Sequence, residues 1–127
     1  RTAMEELLRF YAPVTISRIA NEDVELHGRR IAAQERVILP LPAANRDPSV
    51  FDNPDVVDLE RKQNRHVTFS SGIHRCLGAT LARMELRVAL EEWLRAMPHY
   101  EVVEPKAVEW TPGNTRGPER VRTRVTA

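Results

Sequence analysis

The sequence is poor in cysteine and aromatic residues, and it lacks any long apolar run. A single cysteine among 127 residues cannot form a disulfide within the chain, which fits a reducing compartment. No stretch approaches the roughly 18 apolar residues that a membrane helix needs, and the first residues show no signal-peptide pattern. The sequence predicts a cytoplasmic protein that makes no membrane contact, and it draws attention to the single thiol.

Neither sign of charge predominates. The 19 Lys and Arg residues and the 18 Asp and Glu residues leave a formal net charge of +1, and the two signs are interspersed along the chain. Nucleic acid is therefore not expected as a partner. With 42% hydrophobic and 29% charged residues, the composition is that of one compact domain with a modest core.

Two segments have helical periodicity. The first covers residues 2–10: Thr2 and Glu5 have capping-box spacing, and Pro13 ends the segment. Its apolar face comprises Met4, Leu7, Leu8 and Tyr11.

The second helical segment covers residues 79–97 and precedes Pro98. One face is apolar and the opposite face is charged, as in a helix packed on a core. The apolar stripe comprises Leu86, Ala89, Leu90, Trp93, Leu94 and Met97, and the outer face comprises Arg83, Arg87, Glu91 and Arg95.

Short strands and irregular chain fill the remainder. His27 and Gly28 predict a hairpin turn within "VELHGRRI", and strands are also predicted in "TISRIA" and "RVILPL". Residues 43–68 are rich in Pro, Asp and Asn, which predicts an ordered meander. Three further strands are predicted in "YEVVE", "AVEWT" and "RVRTRV".

Cys76 immediately precedes the second helix, where free backbone N–H groups and the helix dipole favour an anion. A thiolate there could act as a nucleophile or as a metal ligand. Gly72 and Gly78 carry no side chain that would block a flat cofactor, and Phe69 could shield the sulfur from water. A lone cysteine in such a place is, by itself, more often a small core residue.

The run "FSSGIHRCLG" at residues 69–78, followed by a helix with Ala and Arg, resembles the cysteine ligand loop of bacterial cytochromes P-450. The resemblance covers essentially all of residues 1–127. It implies the C-terminal haem-thiolate portion of that fold, which is mixed α and β here and mainly α in the intact parent. The expected parts are a Glu-x-x-Arg helix at 2–10, a meander at 43–68, the ligand loop at 69–78, a second helix at 79–97, and small antiparallel strand pairs.

The resemblance also implies roles for particular residues. Cys76 would ligate the iron of haem b, while Arg18 and His74 would serve the haem propionates. For His66, propionate contact and simple packing are equally expected. The other implied cofactor-binding residues are Phe69, Gly72 and Gly78, and a buried structural triad is implied for Glu6, Arg9 and Arg61.

Two positions depart from the family pattern. Ser70 replaces a usual loop glycine, and "IAAQER" replaces the common "IPAGER", which puts Gln34 at the glycine position. If either residue needs a positive φ, its turn must differ or carry strain.

The activity that the resemblance implies for a complete parent is monooxygenation. Electrons from a ferredoxin-type partner and dioxygen would insert one oxygen atom into a small organic substrate, which residues 14–16 and 113–115 would touch. The family's oxygen-activating helix belongs upstream, so this chain alone is not expected to be catalytically competent. A missing N-terminal portion or a second copy could cover its surface. A basic docking face would use Arg65, Arg75, Arg83 and Arg87.

Three other hypotheses remain open. A zinc-binding interaction module could use His66, His74 and Cys76, although paired ligand spacings are absent. A thiol enzyme could pair Cys76 as nucleophile with His74 as base, although no third orienting group is evident. The chain could also be a truncated, non-catalytic fragment that binds haem or a partner.

Overall fold

The computed structural model describes residues 2–126, which form three helices, six short strands and two 3-10 turns. The mixed α and β character that the sequence predicts is confirmed. Within these residues, no helix combines the length and the apolar character that crossing a membrane requires. The elements are α1 (Thr2–Tyr11), β1 (Thr15–Ile19), β2 (Val24–Leu26), β3 (Arg29–Ile31), β4 (Arg36–Pro40), α2 (Leu41–Ala44), a 3-10 turn (Gly72–His74), α3 (Ala79–Ala96), β5 (Tyr100–Val102), a 3-10 turn (Pro105–Ala107) and β6 (Thr123–Val125).

The strands form three antiparallel pairs. β1 pairs with β4, and the hairpin β2–β3 lies between them in the chain. His27 and Gly28 form the predicted turn of that hairpin, with φ of 49° and 74°, as a two-residue turn of the favoured handedness requires. β5 and β6 form the third pair and bring the C-terminal segment back to the end of α3.

The capping-box prediction for Glu5 is wrong. Thr2 lies inside α1, and the Glu5 carboxylate accepts hydrogen bonds from Arg83 at 2.7 and 3.0 Å. A carboxylate that can reach a guanidinium forms a charge-assisted bidentate pair, which is stronger than a neutral capping bond. The end of α1 is as predicted, since Pro13 cannot continue a helix.

The interior is small and largely polar. Glu6, Arg9 and Asn45 are the largest side chains with no exposed area, whereas the buried apolar residues are Ala12, Leu41, Phe51 and Ala79. Buried charges are tolerated only when they are paired and hydrogen-bonded, so the packing of α1 on the meander depends on specific polar contacts.

The apolar stripe of α3 is exposed in the described part of the chain, contrary to the prediction that it faces a core. Leu86, Leu90 and Leu94 retain 40%, 39% and 53% of their accessible surface. Together with Met4, Leu7 and Tyr11 of α1, Leu86 and Leu90 line an open apolar groove of about 290 Å³. Arg83, predicted on the outer face, is partly buried against α1.

The predicted strand "AVEWT" does not form. Only an isolated bridge joins Trp110 to Pro118, and residues 105–107 make a 3-10 turn instead. The strand predicted in "YEVVE" ends at Val102, because Glu104 adopts a left-handed conformation with φ of 52° and Pro105 cannot donate a ladder hydrogen bond. A short helix, α2, which the sequence did not indicate, opens the meander.

Candidate functional site

Backbone hydrogen bonds shape the loop that carries the single cysteine. The Cys76 N–H donates to the Phe69 carbonyl at 2.8 Å, and the Ser70 N–H donates to the Val67 carbonyl at 2.7 Å. The Ala79 N–H donates to the Cys76 carbonyl at 3.3 Å and joins the loop to the start of α3. The loop therefore folds back on Phe69 and leaves the Cys76 side chain exposed.

Both departures from the family pattern fall at left-handed positions. Ser70 has φ of 59° and Gln34 has φ of 68°, and Gly72 in the same loop has φ of 61°. Glycine adopts this conformation freely, whereas a residue with a Cβ is strained there by roughly 1–2 kcal/mol. The chain keeps the turn geometry at both positions and carries local strain.

Cys76 opens onto an apolar groove of about 400 Å³. The Phe69 ring, from the cysteine loop, also lines it. Two polar side chains, Arg18 from β1 and His74 from the loop, lie along the same groove. The apolar walls come from four other segments and include Leu8, Val14, Ile16, Leu41, Ala82 and Leu86.

This groove fits a flat apolar group that carries carboxylates and a metal. A cysteine thiolate is an iron ligand, the apolar walls accept a hydrocarbon ring system, and a guanidinium and an imidazole can donate hydrogen bonds to carboxylates. A Cβ added at Gly78 would lie 3.9 Å from the Cys76 Sγ and would take up space beside the sulfur. The donor set and the free space at Gly78 are those expected for a cysteine-ligated haem.

The structure brings Glu6, Arg9 and Arg61 together. Arg9 donates to both Glu6 carboxylate oxygens at 2.7 and 2.8 Å, and Arg61 Nε donates to Glu6 Oε2 at 3.1 Å. Burial raises the pKa of Glu6, but hydrogen bonds from Arg9 and from the Asp58 backbone N–H outweigh it and lower the pKa to about 2. Since Glu6 stays ionised, it holds the meander on α1.

Asn45 makes a second link that the sequence did not indicate. Its Nδ2 donates to the Arg9 carbonyl at 3.2 Å and to Thr68 Oγ1 at 2.8 Å, and its Oδ1 accepts from the Val67 N–H at 2.7 Å. Thr68 Oγ1 in turn donates to the Leu8 carbonyl. The signal available in the sequence was a polar residue directly after the apolar "LPAA" segment. In the structure, Asn45 links α1 to the irregular segment that leads into the cysteine loop.

His66 uses both ring nitrogens within the protein. Its Nε2 lies 2.9 Å from Glu5 Oε2, its Nδ1 accepts from the Thr68 N–H at 3.3 Å, and only 3% of its side chain is exposed. It does not line the Cys76 groove. Of the two roles expected for His66, this geometry favours packing over propionate contact.

The two segments expected to touch substrate lie side by side. Val14 forms a bridge with Thr115, and the Thr15 N–H donates to the Asn114 carbonyl at 2.7 Å. Val14 and Ile16 also line the Cys76 groove. Residues 14–16 therefore form one wall of the groove and hold residues 113–115 next to it.

Of the four arginines of the expected docking face, two are engaged elsewhere. Arg83 binds Glu5, and Arg87 lies 3.9 Å from Glu91 on the same helix. Within residues 2–126, Arg65 and Arg75 make no ion pair, and Arg75 shares an open cleft of about 570 Å³ with Lys62. The basic face is smaller than the sequence suggested.

The zinc and thiol-enzyme hypotheses gain no support. Within the described part of the chain, no three His, Cys, Asp or Glu side chains converge as a metal site would require. His74 and Cys76 line the same groove. Among the hydrogen bonds of residues 2–126, none joins the side chains of these two residues. A nucleophile and its base need that contact.

The fold and the cysteine loop define a portion of a haem-thiolate protein. Comparison with known proteins agrees, because residues 1–117 match the profile of the family described as Cytochrome P450. The chain belongs to the cytochrome P450 family.

Individual relatives agree with this assignment. The chain is 47% identical over 117 residues to nocardicin C N-oxygenase of Nocardia uniformis, which covers 89% of the chain and 29% of that protein. The solved structure of PksS from Bacillus subtilis superposes with a TM-score of 0.94 at 38% identity, over 99% of this chain and 34% of the other. P450BioI, solved in complex with a fatty-acyl-loaded acyl carrier protein, superposes with a TM-score of 0.89 at 40% identity, over 98% of this chain and 32% of the other.

The chain spans only 25% to 29% of the length of the curated relatives compared with it. The predicted family and fold are confirmed, and the chain corresponds to a portion of that fold.

Proposed function

We propose that this chain is the haem-ligating part of a monooxygenase that inserts one atom of dioxygen into a small organic substrate. The observation that carries the proposal is the exposed thiol of Cys76 at an apolar groove that also contains Arg18 and His74. When bound, a haem with a thiolate ligand supplies electron density that favours cleavage of the O–O bond.

Each residue of the groove has a proposed task. Cys76 would ligate the iron of haem b, and Phe69 would keep water from the sulfur. Arg18 and His74 would donate hydrogen bonds to the two carboxylates of the cofactor. Gly72 and Gly78 would leave the space that the flat ring system needs.

The polar contacts beneath the groove would orient it. Glu6, Arg9 and Arg61 fix the meander to α1, and Asn45 fixes the start of the cysteine loop. Rigid supporting contacts hold a ligand loop within the narrow geometric range that catalysis needs. These residues would therefore stabilise the site without contacting the cofactor.

Substrate would lie against residues 14–16 and 113–115. The apolar side chains of Val14 and Ile16 would exclude water from the reacting centre, as oxygen activation requires. The small organic substrate is the expected class, since the walls of the groove are mainly apolar.

A redox partner would deliver electrons from the face that carries Arg75 and Lys62. An acidic ferredoxin is the proposed donor, because complementary charge raises the rate and specificity of encounter. P450BioI is solved in complex with a fatty-acyl-loaded acyl carrier protein, so an acyl carrier protein is a second class of partner to test. We place the complete protein in the cytoplasm.

We propose that the isolated chain binds haem but does not catalyse monooxygenation. The exposed apolar side chains of α1 and α3 favour a further surface that covers them, since such patches mark interaction sites. Monooxygenation would also need proton-donating groups that residues 2–126 do not supply around the Cys76 groove.

Haem titration of the purified chain tests the proposal. The expected result is one haem bound per chain with a thiolate-type spectrum, with Arg18→Ala and His74→Ala weakening binding by roughly tenfold, equivalent to about 1.4 kcal/mol. Arg36→Ala, which changes a solvent-facing arginine at the far end of the β1–β4 pair, is the matched control. Equal affinities for all three variants would contradict the assigned roles.

A further inference from the structure

A cluster of three side chains lies between α1 and the cysteine loop, beside the triad and separate from it. Arg83 donates from Nε and Nη2 to the two carboxylate oxygens of Glu5, at 2.7 and 3.0 Å. His66 lies 2.9 Å from the same carboxylate. Arg83 also reaches the Ala79 carbonyl at 3.4 Å, at the start of its own helix. One carboxylate of α1 thus fixes two side chains from two other segments.

Both of these side chains flank the Phe69 ring. The Arg83 guanidinium carbon lies 4.5 Å from the ring centroid, which is the distance of a favourable cation–π contact. The His66 ring centroid lies 6.4 Å away at an interplanar angle of 51°. Glu5 itself is in neither contact, so it acts on Phe69 only through Arg83 and His66.

Phe69 connects this cluster to the cysteine. Its carbonyl accepts the Cys76 N–H at 2.8 Å, and its ring lines the same groove as Cys76. The next residue, Ser70, is held at φ of 59°. A strained loop conformation persists only when surrounding contacts hold it in place. The cation–π contact between Arg83 and Phe69 is one such contact.

Electrostatics agree with a firmly held carboxylate. Burial raises the pKa of Glu5, but hydrogen bonds from Arg83 and His66 outweigh it and leave the pKa lowered. The carboxylate therefore remains ionised at neutral pH, and the bidentate contact with Arg83 keeps its full charge.

We propose that Glu5 is a positioning residue for the Cys76 thiol, and that it acts through the Arg83 guanidinium stacked on Phe69. The inference rests on the proposed function only in assigning Cys76 as the haem ligand. The positioning itself is a property of the chain before any cofactor binds.

The chain provides two reporters for this arrangement. It has one cysteine and three phenylalanines, so labelling with [13Cβ]cysteine gives a single carbon signal, and labelling with 4-fluorophenylalanine gives three fluorine signals. Phe69→Leu identifies the Phe69 signal. Phe10 and Phe51 contact Arg46 and Arg9 instead, and their signals serve as internal controls.

The test compares Glu5→Ala and Arg83→Lys with Arg87→Ala, a matched change one turn along α3. Glu5→Ala removes the anchor without touching Phe69, and Arg83→Lys keeps the charge but loses the bidentate, planar contact. We expect each to move the Phe69 and Cys76 signals by more than a linewidth and to leave the Phe10 signal in place. Arg87→Ala is expected to move none of them.

Two results would overturn the proposal. The first is a Cys76 signal that shifts by less than a linewidth in Glu5→Ala. The second is a Cys76 signal that shifts in Glu5→Ala but not in Arg83→Lys, because Glu5 would then act on Cys76 through His66 and not through Arg83. If Glu5→Ala does not fold, Glu5→Gln keeps the shape of the side chain and replaces it. All signals are recorded without haem, so a failure to bind haem would contradict the proposed function and leave this result intact.

Discussion

The Nε of Arg61 lies 3.1 Å from a carboxylate oxygen of Glu6 although 55 residues separate them in the chain. Glu6 is completely buried and is also bound by Arg9, which has no exposed area either. A buried carboxylate between two guanidiniums is the point at which the meander is attached to α1. Loss of Arg9 or of Glu6 would leave the remaining buried charge without its bidentate partner.

Replacing Arg9 with methionine tests that attachment. Arg9→Met should lower the free energy of unfolding by roughly 3–5 kcal/mol, because it removes the bidentate partner of a fully buried carboxylate and leaves Arg61 as the one guanidinium bound to Glu6. Urea unfolding followed by circular dichroism measures the change. Arg30→Met, at the exposed pair with Asp23, is the control and should change unfolding little.

The double variant Glu6→Gln/Arg9→Met sharpens this prediction. Each single change leaves one member of the Glu6–Arg9 pair without its bidentate partner, and the double change leaves neither, so the double variant should be more stable than the sum of the two single changes implies. Simple additivity of the two effects would contradict the account of a coupled buried pair.

The low pKa of Glu6 predicts a particular pH dependence. Its pKa in the folded chain is about 2, below its ordinary value of 4.5, so its stabilising contribution is complete above pH 4.5 and disappears as pH falls towards 2. Unfolding free energies measured from pH 2 to pH 6 should therefore fall with acid more steeply in the native chain than in Glu6→Gln. Parallel curves for the two proteins would contradict the assignment.

Strain at Ser70 predicts a stabilising substitution. Ser70→Gly should raise the free energy of unfolding by about 0.5–1 kcal/mol, because glycine adopts the left-handed conformation without the penalty of a Cβ. Ser71→Gly is the matched control: Ser71 is extended, with φ of −146°, so glycine there should be neutral or destabilising. The same sign for both changes would show that Ser70 is not strained.

The proposed docking face predicts an effect of charge reversal. Arg75→Glu should weaken binding of an acidic ferredoxin by roughly threefold to tenfold at low salt, since Arg75 makes no ion pair within residues 2–126. Surface plasmon resonance at two salt concentrations measures the affinity. Arg30→Glu on the β2–β3 hairpin is the control, and unchanged ferredoxin affinity in Arg75→Glu would exclude this face.

Local chemistry accounts for what the sequence predicted correctly. The His27-Gly28 turn needs two positive φ values, which the residue types indicated, and Pro13 and Pro98 mark the ends of α1 and α3. The prediction that Arg61 lies next to Glu6 came from the family resemblance and not from helical periodicity. Such features depend on neighbours in sequence or on a recognised motif.

Long-range pairing accounts for what the sequence did not predict. Helical periodicity predicted that Arg83 faces solvent. In the structure Arg83 is partly buried, because it binds the carboxylate of Glu5, which lies 78 residues away in the chain. Likewise, the apolar stripe of α3 predicts a partner surface, but residues 2–126 cover it only in part, and Leu86, Leu90 and Leu94 keep 40%, 39% and 53% of their accessible surface. Asn45 was missed because the three hydrogen-bond partners of its side chain come from segments that are close only in the folded chain.

The most direct test of haem-thiolate ligation is the difference spectrum between the reduced carbon monoxide complex and the reduced protein, recorded on haem-loaded chain alongside Cys76→Ala. The account predicts a red-shifted band, typical of a thiolate ligand, that disappears in Cys76→Ala. No haem uptake, or a band that persists without the Cys76 thiol, would contradict it.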